Sequence, residues 1–383
     1  MHEKGVEYSK VLSELKVAQA RDFKFNDGKI LGSMCTAPHG IAKRAHSMFF
    51  EANLGNPKLY PGTDMLERKV IRMLSSLLHG RRIYGHIVNG GNEANITALW
   101  LARNSRKRKK VIFGKSAHFS ILKACDILNL EPMTVGLDRN YRLDAAEVKE
   151  NLDDDVCAVI GVAGTTELGA VDPIAELSKI CLGKAHLHVD AAFGGFVIPF
   201  IRELGYDAPD FDFKLPGVSS LSVDPHKMGL ATIPAGAFLV RGRDDIEKIA
   251  VPTPYLTSEL QASLSGTRAS GAVAGTYAVM SLLGREGYRR VIKQCMENTE
   301  HLRDRVIELG LEPVLDPPPM NILGVHIRQL DALYGELIRN KWFVSAANNP
   351  KCLRLVVMPH VSRDSIDAFI VQLEKACKKV GEL

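Results

Sequence analysis

The chain has no apolar run approaching the ~20 residues that a membrane-crossing helix needs; runs such as AAFGGFVIPF (191–200) are interrupted by glycine and proline. It also lacks paired cysteines. The seven, at 35, 125, 157, 181, 295, 352 and 377, are scattered, odd in number and never at CxxC spacing. That excludes a disulfide frame and a cysteine zinc site and reads as reduced thiols. The opening MHEKGVEYSKVLSELKV has no apolar core of the signal-peptide kind, so the expectation is a cytoplasmic protein without a membrane anchor. A strong charge of one sign is missing too. The formal net charge of +5 on 383 residues slightly favours small anions and does not point to nucleic acid. The one basic block, RNSRKRKK (103–110), falls at an expected helix end, where cations complement the helix dipole.

What is present is an ordinary globular composition, 46% hydrophobic and 24% charged, long enough for one large core and a smaller domain. From about 85 to 240, short apolar runs alternate with amphipathic stretches. Strands are expected at 111–114, 132–137, 156–164, 186–190, 219–224 and 236–241, and helices at 92–105 and 118–130. This alternation predicts an α/β fold with a mostly parallel sheet covered on both faces. Ligands then collect at the carboxyl ends of the strands. After GREGYRR (284–290) a long helical pattern, a proline break at 316–321 and two further strands (ILGVHI, LRLVVM) follow. The expected division is a large domain over 41–285 and a smaller α/β domain over 286–383, joined by residues 1–40.

The strand ends carry the chemistry. In HLHVDAAFGG (186–195), His186, His188 and Asp190 share one face of a strand and have the spacing of a three-ligand metal site. The other reading leaves Asp190 alone at the strand end, facing a ring nitrogen of an organic cofactor, with small residues after it making room for the ring. VNGGNEAN (88–95) sets two glycines before a helix, where free N–H groups and the dipole favour a phosphate; taken singly, such a turn is more often only a turn, and its spacing is not the GxGxxG of dinucleotide folds. His118, in GKSAHFS, is either a helix cap or a flat ring that stacks on another. The threonine pair of VAGTTELGAVD (162–172) most simply satisfies turn backbone. In SVDPHKMGL (222–230), Lys227 follows an apolar strand and precedes an apolar stretch; most lysines are solvated, but desolvation here would lower its pKa and free its amine as a nucleophile. Together these parts fit pyridoxal 5′-phosphate (PLP): a lysine for its aldehyde, a carboxylate for its pyridine nitrogen, a helix start for its phosphate and an aromatic residue over its ring.

The combination HVDAAFGGF, DPHKMG, GGNEAN, AGTTELGAVD and SGTRASGA resembles the group II PLP-dependent amino-acid decarboxylases. With ILGSMCTAPH (30–39) and NLGNPKLYPGT (53–63), the likeness is strongest to the archaeal L-tyrosine/L-aspartate decarboxylases and runs from about 28 to 363. The resemblance implies the aspartate-aminotransferase fold (fold type I), with a seven-stranded large-domain sheet. It implies Lys227 as the lysine bonded to the cofactor, Asp190 as the pyridine partner, and His118 and Ala192 on opposite ring faces. Gly91, Asn92 and His226 would hold the phosphate, with Thr166 beside the ring and Thr267 reaching the site of a second subunit in a homodimer. Asn92 stands where relatives carry Thr or Ser, so only its backbone contact carries over, and TRAS replaces their TRSG or TRPG after Thr267. Ser33, Asn53, Tyr60 and Arg354 would face substrate, Arg354 as a bidentate carboxylate clamp. Tyr255 would return a proton to Cα. The implied reaction is loss of CO₂ from L-tyrosine to give tyramine, toward methanofuran, or from L-aspartate to give β-alanine, toward coenzyme A. Residues alone reach only a PLP enzyme acting on an amine; the decarboxylase reading comes with the resemblance. Its rivals are another PLP-dependent lyase, a metal hydrolase at His186, His188 and Asp190, and a non-catalytic binding protein.

Overall fold

A computed structural model describes residues 1, 3–256 and 258–383. Seven strands form the main sheet: β1 (Tyr84–Val88), β2 (Lys110–Gly114), β3 (Glu131–Val135), β4 (Val156–Val162), β5 (His186–Asp190), β6 (Val218–Val223) and β7 (Gly236–Val240). They lie in the order β1-β7-β6-β5-β4-β2-β3. β7 is antiparallel to both β6 and β1, whereas β6, β5, β4, β2 and β3 are parallel. β7 alone therefore runs against the rest, and the carboxyl ends of β1, β2, β4, β5 and β6 meet at one edge. All residues of β4, β5 and β7 are buried, as expected of strands covered on both faces. β1 is a strand the apolar pattern did not reveal. It is short, reads YGHIV, and is half-exposed at its start.

Five helices matter for the site: α1 (Tyr8–Gln19), α2 (Gly40–Phe49), α3 (Pro61–Leu77), α4 (Gly91–Arg106) and α5 (Ser120–Leu128). α4 packs against β4 to β7 and buries Ala94, Ile96, Ala98, Leu99, Leu101 and Ala102, each large side chain contributing about 1.5–3 kcal/mol. α5 begins two residues later than expected, so His118 precedes the helix. The helix Ser270–Glu308 packs on α2 and α3 and is interrupted at Gly284, where φ is 54° and ψ −170°. Beyond it, strands Ile322–Val325, Ser345–Asn348 and Lys351–Val356 form a second, antiparallel sheet with the last in the middle. Its core comprises Leu302, Leu323, Leu353 and Phe369, and Leu31 from the N-terminal segment, where Ile30 bridges Phe343. α1 buries none of its residues. No helix among the described residues is long and apolar enough to cross a membrane.

Candidate active site

At the shared edge of carboxyl ends lies a cavity of about 270 Å³. Gly91, Asn92, His118, Thr166, Asp190, Ala192, His226 and Lys227 all line it, together with Met34, Asn89, Asn95 and Asp224. β1 leads into it through Gly90, the residue before α4, whose φ of 113° and ψ of 178° suit glycine alone. A side chain at Gly91 would meet Asp224 Oδ2 at 3.2 Å and Ala192 Cβ at 3.3 Å. The start of α4 is thus bare backbone, and by helix geometry its first N–H groups have no intrahelical acceptor. Glu93 fastens this turn. Its Oε2 accepts from Asn89 N and Nδ2, both at 2.8 Å, and its Oε1 from Ser265 Oγ at 2.8 Å.

Asp190 ends β5 and is buried. Its Oδ1 accepts from Ala192 N and Ser222 Oγ, each at 3.0 Å, and its Oδ2 from Asn95 Nδ2 at 2.8 Å. Burial opposes ionisation, but the Lys227 charge and these donors outweigh it, and the Asp190 pKa is lowered. His188 does not touch Asp190. Its Nε2 lies 3.0 Å from Asn95 Oδ1, its Nδ1 2.8 Å from Ser220 Oγ, and Ser220 Oγ is 2.7 Å from His186 Nε2. Burial lowers His186 to about 3 and His188 to about 4, His188 against the raising effect of Asp190. Both rings are therefore neutral members of a hydrogen-bond chain behind the carboxylate. No group of three or more His, Cys, Asp or Glu among the described residues is placed to hold a metal.

Lys227 follows β6 in a tight turn: its N–H donates to Asp224 O at 3.0 Å, and Leu230 N donates to Lys227 O at 3.2 Å. The expectation of a lowered lysine pKa is corrected here. Burial does act in that direction, but Asp224 and Asp190 outweigh it, and the Lys227 pKa is raised. Its Nζ lies 3.1 Å from Asp224 Oδ2, while Asp224 Oδ1 is buried with no partner. His226 Nδ1 is fixed on Ala235 O at 2.6 Å. His118 Nδ1 lies 2.9 Å from Ser120 Oγ, and burial lowers its pKa.

The remaining expected residues lie outside the cavity. Ser33 Oγ accepts from Cys35 N at 3.0 Å. Asn53 Oδ1 accepts from Gly55 N at 2.8 Å and Arg268 N at 3.1 Å, so this oxygen shapes backbone. Tyr60 precedes α3, half-buried. Thr267 is exposed, next to Arg268, which is ion-paired with the buried Glu67. Tyr255 is 86% exposed. Arg354 is buried beside the cavity, its Nε on Thr166 O at 2.5 Å and its Nη1 on Gly32 O at 3.1 Å and Ser345 Oγ at 3.2 Å. With Nε and Nη1 engaged on protein oxygens, Nη2 alone does not make the two-nitrogen fork of a bidentate clamp.

The cavity suits PLP chemically: bare helix N–H groups for a phosphate, an ionised carboxylate, a lysine, and the small Ala192 beside Asp190. The unpartnered Asp224 Oδ1 is a further polar atom awaiting a neighbour. Asp224 and Asn95 escaped sequence reasoning. Asp224 stands three residues before Lys227, a spacing that would have placed it at the site; Asn95, one helical turn after Gly91, carries no such signal, because its partners come from β5 and from Ser120 at the start of α5.

Residues 59–315 match the pyridoxal-dependent decarboxylase conserved domain. A probable L-tyrosine/L-aspartate decarboxylase of Methanothermobacter thermautotrophicus is 46% identical over 355 residues, covering 91% of this chain and 98% of its own. A probable L-aspartate decarboxylase of Archaeoglobus fulgidus is 43% identical over 373 residues, covering 96% and 100%. Among solved structures, a sphingosine-1-phosphate lyase of Burkholderia pseudomallei superposes with a TM-score of 0.91 at 26% identity, covering 99% of this chain and 92% of its own. A glutamate decarboxylase of Lactobacillus brevis, at 20% identity and a TM-score of 0.90 over 100% and 95% of the two chains, shares the fold.

Proposed function

The chain belongs to the pyridoxal-dependent decarboxylase family and is a PLP-dependent amino-acid decarboxylase of fold type I, and from that premise we propose that its substrates are L-aspartate and L-tyrosine. The observation that carries the reading is the convergence of Lys227, Asp190 and the bare start of α4 on one cavity. When bound, PLP supplies an electron sink for the pair of electrons left at Cα as CO₂ departs.

The residues divide the remaining work. The first-turn N–H groups at Gly91 and Asn92, with His226, would hold the phosphate; Asp190, kept ionised by Lys227 and its hydrogen-bond donors, would bind a protonated ring nitrogen. His118 and Ala192 would flank the ring, with Thr166 beside it, since all three line the cavity. Lys227 would hold the cofactor through its amine, at the place the substrate amine must reach. Before it can do so, its ammonium must lose a proton against the pull of Asp224. Arg354 Nη2 is suited to the side-chain carboxylate of aspartate and not to the departing one, because an ion pair on the leaving carboxylate would stabilise the ground state. Ser33, Asn53 and Tyr60 support the substrate side of the site from the segments before α3.

Thr267 and Tyr255 complete the site of a second copy in a homodimer, Thr267 at the phosphate and Tyr255 as the acid that returns a proton to Cα. Their exposure in one chain and the unburied α1 support this assembly. Six of the seven cysteines are buried and all are free, which supports a cytoplasmic location. The large domain is taken as 41–285 and the small one as 286–383 with residues 1–40. Tyramine would feed methanofuran and β-alanine coenzyme A. The test is product analysis of the purified, PLP-loaded protein with each amino acid. CO₂ with β-alanine or tyramine is expected, and turnover of neither would overturn the substrate assignment.

A further inference from the structure

We propose that Asn95 is a positioning residue that couples Asp190 to His118 through one directional chain of hydrogen bonds, so that ionisation of the first fixes the tautomer of the second. Asn95 is 1% exposed. Its Nδ2 reaches two acceptors, Asp190 Oδ2 at 2.8 Å and Ser120 Oγ at 2.9 Å. The amide can point only this way: the reverse would set its oxygen against a carboxylate.

Every other proton in the chain follows. Asn95 Oδ1 can only accept, so His188 Nε2 must donate to it across 3.0 Å. A neutral His188 then has a bare Nδ1, which accepts from the Ser220 hydroxyl at 2.8 Å, and Ser220 in turn accepts from His186 Nε2 at 2.7 Å. On the other branch, Ser120 is fully buried and Asn95 Nδ2 can only donate to its Oγ, so the side-chain acceptor left for its hydroxyl proton is His118 Nδ1 at 2.9 Å. The backbone N–H of Ser120 points at the same nitrogen from 3.3 Å. Two donors on Nδ1 require it to be unprotonated. His118 is then a neutral ring with its proton on Nε2, a donor at the nitrogen that Ser120 does not hold.

This assignment rests on Asp190 and His118 serving the cofactor, as proposed above, but its test does not need turnover. Histidine-selective ¹⁵N NMR of the PLP-loaded wild-type protein should show His118 neutral and protonated on Nε2, and His188 likewise. Asn95→Leu should mix the two His118 tautomers and displace the pH profile of the bound-cofactor absorbance. Ser120→Ala should change the His118 signals alone and leave that profile in place. A His118 protonated on Nδ1 in the wild type overturns the proposal, as does an Asn95→Leu protein that folds and keeps the wild-type His118 signals. If Asn95→Leu does not fold, the wild-type and Ser120→Ala spectra decide. A protein with the expected tautomers that decarboxylates neither aspartate nor tyrosine would refute the substrate reading and leave this one standing.

Discussion

Lys227 Nζ and Asp224 Oδ2 form a 3.1 Å ion pair within a single turn, three residues apart. The lysine that must act as an amine is thus stored as an ammonium. Burial alone would lower its pKa, but Asp224 and then Asp190 raise it. In Asp224→Asn the nearer charge is gone and more free amine exists at any given pH. The pH at which the cofactor-free protein takes up PLP half-maximally should therefore fall, by about one to three units. Stopped-flow absorbance across a pH series measures this, and an unchanged midpoint would contradict it. Stability has a definite sign as well. A folded pKa above the unfolded one stabilises the fold at neutral pH, an effect lost only as pH climbs through the raised value. Asp224→Asn should accordingly melt at lower temperature at pH 7.

Asp190→Asn removes the charge and keeps the shape. Three donors converge on this carboxylate, and the amide that replaces it cannot accept all three. We expect kcat/KM to fall about 10²–10³-fold and PLP to wash out during gel filtration. Near-normal turnover with retained PLP would show that the carboxylate is not the ring-nitrogen partner.

These residues differ in how far sequence reveals them. Asp190 was legible because it ends a buried strand and Lys227 because it lies in the turn that follows one, and a polar residue after an apolar run in a parallel sheet has few other places to be. β2 and β4 to β7 were legible as short buried apolar runs, and β3 as the apolar run 132–137 although only Val135 of the strand is buried. Asp224 was given no role from the sequence, since its ion pairing with Lys227 depends on how tightly that turn is wound. Asn95 was not legible as a site residue. It looks like any polar residue on a helix, and its meaning comes from β5 and α5, which lie far from it in the chain and next to it in space. The lysine pKa was misjudged because burial was counted without Asp224 and Asp190. β1 was missed because a five-residue strand, half-exposed at its start, has little apolar pattern to display.

Gly90→Ala tests the turn before α4. Its φ and ψ lie where only glycine is comfortable, so alanine should cost about 1–3 kcal/mol, visible in urea unfolding. The added Cβ would sit 3.2 Å from His226 Cε1. PLP affinity, read by fluorescence quenching, should drop along with stability. Wild-type affinity in the variant would remove the turn from the phosphate site.

Glu67→Ala tests the anchor of the Thr267 loop. Glu67 accepts from Ile87 N at 2.8 Å and pairs with both terminal nitrogens of Arg268. Removing it leaves a buried guanidinium without its counter-charge, at a cost of about 3–5 kcal/mol. Denaturant titration should report that loss, and a change within experimental error would refute the anchor.

Arg354→Gln separates the substrates. With Nε and Nη1 engaged on protein oxygens, the proposed substrate contact of Arg354 falls to Nη2, and a hydrogen bond to a charged group contributes about 1.5–3 kcal/mol. KM for aspartate should rise about ten- to a hundredfold, with a much smaller change for tyrosine. Equal losses for both would move Arg354 away from the side chain of the substrate.

The place of β1 at the end of the sheet has a consequence for when the protein becomes able to hold its cofactor. β1 has one neighbour, β7, and Val88 pairs with Gly236. The turn that opens α4 is made early on the ribosome, and β1 can already lie against α3, yet it has no strand to pair with until β7 emerges. Asp190, Asp224 and Lys227 are also synthesised in that interval. Contacts so distant along the chain form slowly, and a nascent chain halted before β7 would carry the lysine and both carboxylates without an assembled phosphate cradle. Competence to bind PLP is therefore expected to arrive late, with the strand that joins β1 to the rest of the sheet.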